Sequence, residues 1–496
     1  MLYDCMGIST PFFKAFGPLL FGRKPGSKLR EIKQVESLGE LYEVFGDMVP
    51  EKLLGGAQRG VNSRERRLPP RVTFWAFVWQ VMQPQSSCRE VVRKVEAWWR
   101  WMQKDRSGKR ALSASAYCQA RARLETETLE LILSHTAHNL ERHVLGEEVG
   151  PAGRRVRIVD GTGVSMPDTE ANQQCWPQPG AQKPGLGFPV AKLVGFFSLS
   201  SGALLEREVG RLREHDSLLL NRLMGKIRKG DILLADRAFC SYAALATLVA
   251  RGADSVMRLH QARPCDLRRG KVLGPLDRLV QWARPLKCPP GCDKETFETL
   301  PATLAVRLIG LRVQVPGFRS RSITLVTTLT DADLYPADEL RELYAKRWNV
   351  ELHFHQIKIA LGMDVLRCQS PEMIEKEILI HLIAYNLIRT FMQRAAHIHH
   401  VDLARMSFKG ALDTSRHFAA AVHAASCTPR KQDALIAQML AAIASDPIPL
   451  RPHRSEPRAK KRRPKNYRLL TQSRHTMTLD QHRNRWKAKA PKPSLS

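Results

Sequence analysis

The sequence predicts a mixed α/β protein: an all-α N-terminal domain, a sheet-and-helix core interrupted by a β-rich insertion, and a basic C-terminal tail. Three observations predict it. Residues 30–145 carry helix signals. After Pro151 the pattern turns to short β-branched or alternating runs interleaved with helical ones. Residues 260–330 then break that alternation with loops rich in proline, glycine and cysteine. The divisions follow as 1–145 for the helical front, 150–259 and 331–450 for the two parts of the core, 260–330 for the insertion and 451–496 for the tail. At 496 residues the chain is too long for one ordinary core.

In the front, Arg71–Gln83 is apolar and stops at Pro84, and Ser87-Cys-Arg-Glu90 reads as a capping box opening a second helix through Met102. Two helices joined by a short turn are compatible with a helix-turn-helix. The second carries Arg89, Arg93, Lys94 and Arg100, although Trp98, Trp99 and Trp101 beside them point to packing rather than base contact. A third helix starts near Ser115 and runs through His143. In the core, Arg155–Asp160, Val190–Leu199 and Ala203–Gly210 are expected as a three-stranded meander, the last two joined by a turn at Ser200-Ser-Gly202. A helix over Ser217–Arg228 leads into Asp231–Asp236, whose apolar centre suits a buried strand. A helix over Tyr242–Arg251 and a strand over Ser255–Leu259 follow. The insertion adds two strand-like runs, Thr303–Val315 and Arg321–Leu329. Helices resume over Glu339–Leu361 and Met373–His397 and should pack on the sheet. Arg451–Ser496 holds 15 lysines and arginines against 2 acids, with five prolines, and is expected as a disordered arm.

Composition narrows the function. Lysine and arginine total 78 against 48 acids, a net charge of +30 that calls for a polyanionic partner, nucleic acid ahead of a membrane surface. No run approaches the ~18 apolar residues of a membrane span, the most apolar stretch being Ala434–Ala444. The first 25 residues lack a basic leader and a small-residue cleavage site, so the cytoplasm is the expected compartment. Cys288 and Cys292, with Cys265 upstream, would need a fourth ligand to hold zinc, and none suggests itself, so free thiols are expected.

Asp160 and Asp236 each end an apolar strand-like run, where α/β sheets place ligand-binding groups, although such aspartates also cap turns. The helix over 339–361 weighs on the functional side. Tyr344, Arg347, Glu351 and Lys358 fall within about 60° of one another at 100° per residue. Trp348 flanks the stripe on one side and Phe354, Ile357 and Leu361 on the other, so both flanks are expected to be buried and the charged stripe to need partners. His355 lies just beside it.

The spacing Tyr344-x2-Arg347-x3-Glu351-x6-Lys358 resembles the YREK signature of DDE transposases of bacterial insertion sequences, in the group named for insertion sequence four. Asp160-Gly161-Thr162 and Asp236-Arg237-Ala238-Phe239 resemble that family's first and second acidic motifs, and the insertion before the glutamate is similar to the family's own. The resemblance covers roughly residues 40–430. It implies an RNase H-like core with a mixed five-stranded sheet and flanking helices, in which Asp160, Asp236 and Glu351 are catalytic and hold metal, two magnesium ions with manganese able to substitute. Carboxylates suit such hard cations, and two ions about 3.5–4 Å apart suit in-line attack on a phosphodiester. Tyr344, Arg347, Lys358 and Arg237 would contact DNA, the arginines bidentately. The implied partners are terminal inverted repeats and target DNA, the implied assembly a homodimer on paired ends, and the implied reaction strand cleavage and transfer. An RNase H-like nuclease or recombinase without strand transfer, or an inactive DNA-binding relic, are the alternatives. One feature departs from the family: Arg321–Leu329 lacks the tryptophan that some relatives use to hold a flipped base, with Trp282 the available substitute.

Overall fold

The structure, a computed structural model, describes residues 51–54, 68–103, 111–144, 150–263, 265–289, 292–312, 322–424, 428–449, 467 and 469–476. The helix signals expected over 30–50 lie outside the described residues, as do the side chains of Trp98, Trp99, Arg100 and Trp101.

A nine-stranded sheet organises the molecule. Its strands are β1 (Val156–Ser165), β2 (Val190–Ser198), β3 (Leu204–Arg211), β4 (Ile232–Ala235), β5 (Asp254–Arg258), β6 (Lys271–Gly274), β7 (Asp277–Ala283), β8 (Thr303–Arg312) and β9 (Ser322–Thr327). They lie in the order β3-β2-β1-β4-β5-β9-β8-β7-β6. The first three form the expected antiparallel meander, and β4 and β5 run parallel to β1. That half is the mixed five-stranded sheet expected from the resemblance. The insertion does not hang from the core: β9 pairs antiparallel with β5, and β8, β7 and β6 continue outward, so the sheet passes through it without a break.

Strand alternation divides the interior in two. Val156, Ile158, Ile232, Leu234 and Val256 face one apolar core with Val350, Phe354 and Ile357, while Val159, Leu233, Ala235 and Met257 face another, with the helix Tyr242–Ala250 and Trp282. In the front, α1 (Pro70–Met82), α2 (Cys88–Gln103) and α3 (Ala114–Ala122) pack into the first of these cores rather than forming one of their own, and α4 (Thr126–Arg142) joins both, with Leu129, Ile132 and Leu133 in the first and Ala137 and Leu140 in the second. Ser87 caps α2 as its sequence indicates, accepting from the Glu90 N–H at 3.2 Å. The single helix expected from Ser115 to His143 is instead two, because Glu125 is extended at φ −76°, ψ 132°. No glycine or proline breaks it. The two halves bury different faces, Tyr117 and Ala120 on α3 and Leu129, Ile132 and Leu133 on α4, and packing overrides helix propensity.

The segment expected as one helix over 339–361 is α5 (Ala337–Ala345), a 3-10 turn (Lys346–Trp348), α6 (Asn349–His355) and a π turn (Gln356–Ala360). Beyond it, α7 (Pro371–His399) crosses the sheet. Asn386 accepts from the Leu204 N–H and donates to the Leu204 carbonyl, both at 3.0 Å, so a buried amide ties the helix to the start of β3. Among the described residues no helix is long and apolar enough to cross a membrane. The expectation of a wholly disordered arm fails for Tyr467 and residues 469–476, which lie against the loop between β1 and β2: the Tyr467 ring stacks on Phe188 at 4.4 Å.

Candidate active site

Asp160 is not at a strand end. β1 continues to Ser165 because its second half pairs with β2, Asp160 opposite Gly195, whereas the parallel ladder to β4 stops at Val159 opposite Ala235. Asp160 is therefore the first residue past the parallel pairing, and Asp236, just past β4, is its counterpart. Both keep the phase of Ile158 and Leu234, so the backbone turns them toward the face covered by Val350 and Phe354 of α6.

Glu351 is brought to the same place by that helix. The Arg347 guanidinium lies between the two carboxylates, 3.6 Å from Asp160 Oδ2 and 3.8 Å from Glu351 Oε1. Both separations exceed charge-assisted hydrogen-bond length, and the buried Arg347 Nε has no hydrogen-bond partner. Asp160 accepts from the Gly161 N–H at 2.8 Å. Burial raises its pKa to about 6, with Glu351 and Asp236 adding to the rise and Arg347 and the Gly161 N–H opposing it. Glu351 and Asp236 thus both act on Asp160, where three carboxylates stand against the one guanidinium of Arg347.

The remaining signature residues divide between wall and rim. Tyr344 is buried, its hydroxyl pushed up to about 12 chiefly by burial, and its ring lies 5.9 Å from the Arg347 guanidinium. The Lys358 ammonium donates to Thr162 Oγ1 at 3.2 Å and to the Gly163 carbonyl at 2.8 Å, which ties the π turn to β1 just beyond Asp160. Arg237 donates to Gln261 Oε1 at 2.7 Å, in the loop after β5. Trp348 is 44% exposed, so the stripe is buried on one flank and not on both; its ring instead lies 4.9 Å from the Arg347 guanidinium. Trp282 is buried on β7 with the Arg263 guanidinium 3.7 Å over its ring.

His353, rather than the exposed His355, is the histidine embedded in this helix. It stacks on Phe197 of β2 at 5.3 Å and shares a 3.0 Å hydrogen bond with the Tyr385 hydroxyl of α7. Burial lowers its pKa to about 3, so the ring is neutral and anchors α6 two residues from Glu351. Only a pairing with Phe197 and Tyr385, far off in sequence, reveals that role.

Asp160, Asp236 and Glu351 supply hard oxygen donors without thiolate or imidazole, a set fitted to a divalent cation of the magnesium class, and such an ion would offset both the burial and the neighbouring carboxylate charge that raise Asp160. Among the described residues they are not drawn tightly enough to enclose an ion by themselves, Arg347 occupying the space between two of them.

Residues 151–387 match the transposase DDE domain, and residues 35–134 match the insertion element 4 transposase N-terminal family. The transposase InsG for insertion sequence element IS4 of Escherichia coli K12 is 27% identical over 459 residues, 89% of this chain and 97% of that protein. The Escherichia coli transposase for insertion sequence element IS421 is 32% identical over 84 residues, 17% of this chain and 23% of its own. Among solved structures, a piggyBac transposase synaptic complex with hairpin DNA aligns over 92% of this chain and 90% of its own with TM-score 0.40 and 11% identity. The chain belongs to the DDE transposases of bacterial insertion sequences, in the insertion element 4 family, enzymes that cut and join DNA with divalent metal ions.

Proposed function

We propose that Asp160, Asp236 and Glu351 are the catalytic carboxylates and hold two magnesium ions, manganese being able to replace them. The observation that supports this most directly is the Arg347 guanidinium flanked by Asp160 and Glu351, with Asp236 at the adjoining position past the parallel ladder. Ions bound there would lower the pKa of the attacking water or 3′-hydroxyl and stabilise the leaving oxygen. The protein's part is to fix the carboxylates and to meet the phosphate. Arg347 is the phosphate clamp: it is held loosely enough to turn from the carboxylates to phosphate oxygens once the carboxylate charge is met by an ion. Tyr344 bounds that guanidinium, Lys358 holds β1 in register beside Asp160, and Arg237 reaches the backbone from the Asp236 side.

The substrates are the terminal inverted repeats of the chain's own element and then target DNA. The helical front at 1–145 recognises the repeats, two copies of the chain act on paired ends, and the reaction proceeds on DNA in the bacterial cytoplasm. Purified protein with magnesium and DNA carrying the sequences that flank its gene tests this: nicking at the element ends and joining to a target plasmid are expected. Alanine at 160, 236 or 351 should abolish cleavage and leave terminal-repeat binding nearly intact. Cleavage within a few-fold of wild type in Asp160→Ala would overturn the assignment, and cleavage without joining would restrict the chain to nuclease chemistry.

A further inference from the structure

Five residues beyond Asp160, β1 leaves the sheet and enters the loop over 166–189 that returns as β2. The described part of the C-terminal arm is seated along this loop as a strap. Besides the Tyr467–Phe188 stack, the Leu470 N–H donates to the Leu186 carbonyl at 3.1 Å and the Arg474 N–H to the Gly185 carbonyl at 3.0 Å. Gly185 has φ +78°, and a Cβ there would come within 2.2 Å of Ser473 Oγ, so the close approach requires glycine. The Arg474 guanidinium is buried with Asp168, donating to Asp168 Oδ2 at 3.0 Å, to Gln178 Oε1 at 3.1 Å and to the Gly187 carbonyl. One of the most basic segments of the sequence thus has a residue whose charge is cancelled inside the fold.

The strap completes a cleft of about 650 Å³ between itself, the loop and the turn Arg211–Glu214 that follows β3. Arg474 is neutralised there, but the turn's own cations face outward. Arg213 lies on Gly180, where a Cβ would meet its guanidinium at 1.9 Å, and it makes no hydrogen bond or ion pair among the described residues. Arg211 is exposed and uses its Nε alone, on the Cys175 carbonyl at 3.2 Å. The one acid of the cleft, Glu214, is already held by the Arg211 N–H at 2.6 Å and by Arg222 at 3.1 Å. Gln173, Gln178 and Gln182 complete a wall of amides. The balance is cationic, polar and open.

We propose that this strap-built cleft docks the phosphodiester backbone of the same DNA duplex that is cut at the carboxylates, through Arg211 and Arg213, and that the site is incomplete without the strap. The inference rests on the functional reading above, which puts the scissile phosphate at Asp160. With a rise of about 3.3 Å per strand residue, the loop begins roughly 17 Å from Asp160. At 3.4 Å per base pair that is about five base pairs along a duplex.

The test uses full-length protein and a terminal-repeat duplex extending ten or more base pairs either side of the cleavage point. Binding is measured across a salt series without divalent ions, together with phosphate-ethylation interference. Arg211→Ala/Arg213→Ala is expected to weaken binding at least tenfold and to reduce the salt slope by about 2, since each phosphate contact contributes about 0.9. Interference about five base pairs from the cleaved phosphate should vanish with it. Arg474→Gln should reproduce both losses, although Arg474 itself faces Asp168, and thermal melting separates this from general unfolding. An unchanged slope and an unchanged interference pattern in the double variant would overturn the proposal. Failure of the functional reading would look different: wild-type protein would leave the ends uncut with magnesium, whatever the double variant does to binding.

Discussion

Replacing Asp160 by asparagine should stabilise the metal-free protein, and only above a defined pH. Two effects compete at this carboxylate. Arg347 at 3.6 Å favours the charge, while burial, Glu351 and Asp236 oppose it; burial and the like charges win, and the pKa rises from 3.8 to about 6. Unfolding returns the group to its ordinary value. The unfolded chain therefore releases the proton first as pH rises, and stability falls between about 4 and 6; below that window the cost is absent and above it the cost is complete. At 1.36 kcal/mol for each tenfold change in proton affinity, the cost is roughly 3 kcal/mol, or about 2 kcal/mol after allowing for partial solvent access. Urea melts of wild type and Asp160→Asn in chelator should thus differ by about 2 kcal/mol in favour of the variant at pH 8 and converge by pH 4. Adding magnesium should close the gap at pH 8, because the wild type gains an ion-binding contribution that the variant loses. A variant less stable than wild type at pH 8, or a difference flat with pH, would mean that the Arg347 pair outweighs the burial and repulsion invoked here.

Arg307→Met should cost about 3–5 kcal/mol, since it leaves buried Asp277 without the guanidinium that meets it at 2.6 and 2.9 Å; an unchanged urea midpoint would refute this. His381 is buried and held down to about 3, so it must gain a proton on acid unfolding. The stability it lends is complete above pH 6.5 and is lost as pH falls toward 3. His381→Met should therefore lose about 2 kcal/mol less than wild type between pH 7.5 and 5, and parallel losses would exclude the histidine as the cause. Lys358→Met removes both bonds to β1 and should slow cleavage of terminal-repeat DNA at least tenfold with little change in binding; equal cleavage rates would leave Lys358 without a positioning role.

In the sequence Asp160 and Asp236 stand out only as residues that end short apolar runs; their strand phase, which turns both to the face covered by the helix that carries Glu351, comes from the pairing of β1 and β4. The true length of β1 was not legible. Gly161-Thr-Gly163 looks like a turn until Lys192 and Leu193 of β2 are known to pair with it. A helical wheel put Lys358 on the stripe of Arg347 and Glu351 by assuming uniform turns. The 3-10 turn at 346–348 and the π turn at 356–360 tighten and then widen the coil, and Lys358 ends on the β1 backbone. Trp348 misled for a related reason: a large indole usually signals burial, yet here it covers a guanidinium at the rim. The strap was invisible because its anchors, Phe188 and Asp168, lie 279 and 306 residues before Tyr467 and Arg474 and its composition is that of a solvated arm.

The insertion explains how Glu351, so far from Asp160 in sequence, comes to flank the same guanidinium. Glu351 follows Asp236 by more than a hundred residues, and a flexible connection of that length would leave its position undefined and its closure entropically opposed. Instead the chain leaves β5, builds β6, β7 and β8, and returns as β9 against β5 itself. The return is then fixed in depth. Arg307 on β8 holds Asp277 on β7 and also donates to the Tyr335 carbonyl at 2.7 Å, two residues before α5 begins. The Tyr335 hydroxyl accepts from Arg154 at 3.1 Å, and Arg154 pairs with Asp254 of β5 at 2.7 Å, immediately before β1 leaves for Asp160. The entry to α5, which leads into the glutamate helix α6, is therefore bonded on one side to the insertion and on the other to the base of the strand that carries the first aspartate. The insertion contributes none of the three carboxylates, yet the placement of Glu351 relative to Asp160 runs through its buried arginine.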